Sequence, residues 1–103
     1  MNTLINSRTS IFEVIDQQIV LFDYFDNVYL FGSILDVKSN PNDIDMLLIY
    51  SEYSDKIIND LNFIRSFFKT IIELPIDLVV LSTVEEKDIE FLKKINSLYL
   101  KIK

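Results

Sequence analysis

The amino-acid sequence predicts an α/β fold: a small mixed β-sheet flanked by helices, in a single domain over residues 1–103 with its core at about 10–95. Stretches with apolar residues at helical spacing alternate with short, densely apolar runs of strand length. That alternation favours an α/β sandwich over a helical bundle. Half of the residues are hydrophobic, so a core can form without covalent staples. A chain of this length has room for one domain and should bury roughly 60–70% of its unfolded surface.

The first helix is expected to start at Ser10, with Glu13 completing a capping box. Ile11, Val14, Ile15, Ile19, Phe22 and Phe25 then follow helical spacing, and Asp26-Asn27 ends the element. Residues 28–31 form a short strand that runs into Gly32-Ser33. Residues 36–42 are polar and hold the turn signal Asn40-Pro41-Asn42. Residues 44–50 read as a central strand, apolar on both faces beyond Asp45. Ser51 or Ser54 is expected to cap a long helix reaching about Ile72, with Ile57, Leu61, Ile64, Phe68 and Ile71 turned inward. Pro75 forces Leu74 out of helical geometry and opens a third strand over residues 76–81. Thr83 with Glu86 forms a second expected capping box, for a helix to about Ile95. In the C-terminal segment 96–103, Leu98, Leu100 and Ile102 alternate with Tyr99, Lys101 and Lys103, the pattern of a short final strand.

Composition removes several function classes. There is no cysteine and no histidine, which excludes thiolate sites, histidine-ligated zinc and serine-histidine hydrolysis. Any metal must be hard and oxygen-bound, hence Mg²⁺ or Mn²⁺. The net charge of −6 is the wrong sign for gripping a nucleic-acid backbone, so no direct nucleic-acid partner is expected. No signal-peptide pattern and no apolar run near the roughly 20 residues of a membrane span is found, so the expectation is a soluble, cytoplasmic protein.

Three features carry the chemistry. Gly32-Ser33 ends a strand with the only glycine in the chain, a turn that lets backbone approach a ligand and lets Ser33 hold phosphate oxygens. After nine intervening residues, Asp43 and Asp45 stand two apart, so a strand would aim both carboxylates to one side. So close a pair repels unless a cation intervenes. Asp77 interrupts an otherwise apolar strand, and a carboxylate there needs a partner, either a metal shared with the other acids or a basic side chain.

Phe31-Gly32-Ser33, then Asp43-Ile44-Asp45-Met46-Leu47-Leu48-Ile49, then Ile76-Asp77-Leu78-Val79 resemble the minimal nucleotidyltransferases (MNT) of the polymerase beta superfamily. The likeness spans about residues 10–95. It implies a nucleotidyltransferase fold, with Asp43, Asp45 and Asp77 as catalytic ligands of two Mg²⁺ ions (Mn²⁺ being an alternative), and Gly32 and Ser33 on the phosphates of ATP. The serine often found before the first aspartate is Asn42 here. Larger members carry a further domain that holds the acceptor, whereas minimal ones often serve as antitoxins beside a HEPN-domain toxin, some transferring AMP onto it. The resemblance therefore implies a protein adenylyltransferase with a HEPN toxin as partner and acceptor. Exposed aromatics such as Phe67 or Tyr53 could form the contact face. Two alternatives stand: an antitoxin that neutralises its partner by binding alone, and a small-molecule nucleotidyltransferase of the aminoglycoside type, whose acceptor pocket a homodimer would complete.

Overall fold

The computed structural model describes residues 8–36, 43–95 and 98–103. Alternation along a central strand organises them. That strand, β2 (Ile44–Tyr50), pairs antiparallel with β1 (Asn27–Phe31) and parallel with β3 (Ile76–Ser82), while β4 (Tyr99–Lys101) lies antiparallel on the far side of β1. The order across the described sheet is β3-β2-β1-β4.

Because side chains alternate, β2 feeds two cores. Ile44, Met46 and Leu48 turn to one face with Val28 and Leu30 of β1. There they meet helix α1 (Arg8–Gln17), the 3₁₀ turn Ile19–Phe22, and helix α2 (Lys56–Ile71). Phe22 and Phe68, both fully buried, stack with ring centroids 6.3 Å apart and join the two helical segments. Leu47 and Ile49 turn to the opposite face with Tyr29, covered by Phe91 and Leu92. These two belong to α4 (Phe91–Lys94), which follows α3 (Thr83–Ile89). The strand buried on both faces is thus the one expected, with the expected bounds.

Several local expectations shift. Helix α1 already runs from Arg8, so Ser10 is a helical residue and not the cap. The helix closes at Gln17, where the Gln18 N–H is shared between the Val14 and Ile15 carbonyls, and the apolar series continues as the 3₁₀ turn. Of the two candidate serines before α2, Ser54 acts: its Oγ accepts from the Lys56 N–H at 3.1 Å. Ile71 is 38% exposed while Ile72 is fully buried, because the residue four beyond Phe68 returns to the core face and the residue three beyond does not. Glu73 then takes a left-handed conformation (φ 65°) that ends α2. The second capping box forms one residue early. Ser82 Oγ accepts from the Glu85 N–H and Glu85 Oε1 accepts from the Ser82 N–H, at 3.0 and 2.8 Å. Glu86 instead accepts from the Leu92 N–H at 3.1 Å, across a break at Glu90 (φ 55°) that divides the expected single helix in two. Tyr53 is exposed, whereas Phe67 is half-buried and rests edge-on against Phe68. The expected turn Asn40-Pro41-Asn42 lies outside the described residues. Among the described residues, no helix is long and apolar enough to cross a membrane.

Candidate active site

Register brings the three acids together. Asp45 stands directly opposite Asp77 on the parallel neighbour, and the Ile44 N–H donates to the Pro75 carbonyl at 2.9 Å, fixing how the two strands begin. Asp43, the residue just before β2, brings its carboxylate to the same two acids. Each of the three offers a carboxylate oxygen within 4.8 Å of the others. Asp43 and Asp45 are half-buried and Asp77 is exposed. Burial, then the charge of Asp43, then that of Asp77 raise the Asp45 carboxyl above its ordinary value. The cluster therefore resists holding three bare negative charges, and an oxygen-loving divalent cation would relieve it.

The turn after β1 closes against the same cluster. Gly32 has φ +82° and opens a 3₁₀ turn over Gly32–Leu35. A Cβ on Gly32 would overlap the Asp45 carboxylate, so this close approach demands glycine for steric reasons as well as for backbone conformation. Ser33 Oγ is buried with no hydrogen-bond partner. A buried hydroxyl left without a partner is costly in the free protein. Of the five residues singled out in the sequence, Asp43, Asp45 and Asp77 converge, and Gly32 abuts Asp45 with Ser33 next to it in the 3₁₀ turn.

Pairing adds residues that their own neighbourhoods in sequence do not single out. Phe31 faces Asp45 across β1 and β2, and Tyr99 faces Phe31 across β1 and β4. Asp77, Asp45, Phe31 and Tyr99 form one lateral row on one face. Phe31 and Tyr99, with Gly32, Leu35, Ile95 and Leu98 and with Asp36 as the one charged member, line a largely apolar cavity of about 620 Å³. The strand alternation at residues 98–102 was the available signal for Tyr99, but its partner strand could not be named from it.

No protein-family model matches the chain, and no curated protein matches it significantly. Solved structures do. A candidate nucleotidyltransferase from Sulfolobus solfataricus superposes with a TM-score of 0.53 at 19% identity, over 98% of this chain and 86% of that one. A chain of the complex of tri-AMPylated Shewanella oneidensis HEPN toxin with MNT antitoxin superposes with a TM-score of 0.54 at 14% identity, over 89% and 71% of the two chains. At these identities the likeness is one of fold. The chain has a nucleotidyltransferase-like α/β fold, a four-stranded mixed sheet with helices.

Proposed function

We propose that the protein is a Mg²⁺-dependent nucleotidyltransferase that transfers AMP from ATP to a hydroxyl of a protein acceptor, in the role of an antitoxin toward a HEPN-domain toxin. The observation that carries the chemistry is the convergence of Asp43, Asp45 and Asp77 within 4.8 Å, beside a glycine that touches one of them and a buried serine hydroxyl without a partner. An all-oxygen donor set suits Mg²⁺ or Mn²⁺. The likeness to a chain of a HEPN–MNT complex supports the biological role and the partner.

Asp43 and Asp45 would hold two ions jointly and Asp77 would complete one of the sites. Bound there, divalent ions supply charge stabilisation at the attacking and leaving oxygens of an in-line displacement. Ser33 Oγ and the backbone at Gly32 bind the terminal phosphates. The apolar cavity lined by Phe31 and Tyr99 is of a size that takes a nucleobase. Asp77, the exposed acid of the three, would receive or relay the proton of the acceptor's hydroxyl. The acceptor oxygen bonds to the α-phosphorus as the bond to pyrophosphate breaks. With no histidine in the chain, positioning and electrostatics account for the catalysis.

The test is transfer of label from α-labelled ATP with Mg²⁺ into proteins of a native-host lysate, comparing wild type with Asp45→Asn. A band labelled by wild type alone supports AMP transfer, and its mass identifies the acceptor. Blank lanes, with a partner still captured equally by both proteins, would instead support neutralisation by binding.

A further inference from the structure

The transfer reaction fixes the direction from which the acceptor approaches. In-line displacement places nucleophile and leaving group on opposite sides of the α-phosphorus. Gly32 and Ser33, which would hold the leaving phosphates, flank Asp45 on its β1 side, and Asp77 flanks it on its β3 side. The acceptor therefore comes over β3, an outer strand of the described sheet. Immediately before Asp77, around that edge, lies an open cavity of about 590 Å³ lined by Arg65, Lys69, Glu73, Leu74, Pro75 and Ile76. Leu74 and Ile76 give it an apolar, half-buried floor, and Arg65 and Lys69 stand one helical turn apart on α2. Among the described residues neither cation has an ion pair or a side-chain hydrogen bond. Glu73 is the one acid of the rim.

We infer that this cavity and the outer edge of β3 form the docking surface for the acceptor, and that its occupant is an acidic peptide segment carrying the hydroxyl to be modified. The inference rests on the protein-acceptor reading above. Two unpaired cations select carboxylates, the apolar floor takes a side chain beside them, and the unpaired strand edge offers backbone groups to an extended chain. A polynucleotide fits worse. It needs many cations along its path, and here the cavity supplies two, with Glu73 on its rim, in a chain of net charge −6.

The test uses three synthetic probes of equal length: a fluorescent peptide with one tyrosine between glutamates, the same peptide with lysines, and a single-stranded RNA. Anisotropy is measured without ATP, and label transfer from ATP with Mg²⁺. Wild type should bind the acidic peptide at least about tenfold more tightly than the basic one, and Arg65→Glu with Lys69→Glu should remove that preference. ATP affinity, measured on the same variant, separates loss of docking from loss of the nucleotide site, and its unfolding temperature confirms folding. Preference for the acidic peptide that survives the double reversal, or tighter binding of the RNA, overturns the inference. Acidic-peptide binding that depends on Arg65 and Lys69 without any label transfer would uphold the docking surface and count against the transfer reaction alone.

Discussion

The carboxylate of Asp45 occupies the space that a side chain on Gly32 would need. One residue ends its strand in a left-handed conformation, the other projects from the neighbouring strand, and each constrains the other. Replacing Gly32 by alanine should cost about 1–3 kcal/mol, since it combines a strained backbone with a steric overlap. It should also displace Asp45, so thermal unfolding and ATP turnover are expected to fall together. A Gly32→Ala protein with wild-type turnover would contradict the contact.

Asp45→Asn should separate stability from chemistry in opposite directions. The folded protein raises the Asp45 carboxyl above its unfolded value, through burial first and the neighbouring acids second. Such a group contributes its full stability below the unfolded value, and that contribution is lost as pH rises through the folded one. Without metal at pH 7, the asparagine variant should therefore unfold at a higher temperature than wild type. The gap should close as pH falls below about 3.8. Adding Mg²⁺ should raise the unfolding temperature of wild type and leave the variant nearly unmoved. Calorimetry over a pH series, with and without the ion, checks both.

Ser33→Ala removes a buried hydroxyl that has no partner in the free protein. The loss should leave stability unchanged or slightly improved, because an unsatisfied polar group disappears. Affinity for ATP should drop about tenfold, the worth of one hydrogen bond to a charged oxygen. Titration calorimetry beside a melting curve would show the split, and equal ATP affinity in the two proteins would remove Ser33 from the phosphate site.

Glu73 sits at φ 65° beyond the end of α2, where glycine is the usual residue. Glu73→Gly should stabilise the fold by about 0.5–1 kcal/mol, read from a denaturant midpoint.

What the sequence made legible follows from which signals are local. The bounds of β2 were readable because its apolar run is broken at Asp43 and Asp45, and those same acids marked the site. Pro75 placed the start of β3. Gly32 stood out as the lone glycine of the chain. Other features depended on a choice that local pattern leaves open. Ser82 with Glu85 and Thr83 with Glu86 fit the same capping rule, and the extended backbone of Ser82 decides between them. Neither glycine nor proline announces the break at Glu90. The row from Asp77 to Tyr99 was invisible because it needs three strand pairings, one of them joining segments about 70 positions apart.

That last pairing has a consequence for how the protein is made. Residues at 99–103 fasten onto β1: Val28 and Lys103 exchange backbone hydrogen bonds at 3.1 and 3.2 Å, and Lys103 Nζ donates to the carbonyls of Phe22 and Asp23 at 3.1 Å each. Until those residues arrive, the strand that leads into Gly32 is a bare edge with Val28 and Leu30 upon it, open to pairing with any other nascent chain. Shielding that strand thus waits on a contact that spans about 70 positions of sequence, the kind that forms late in folding.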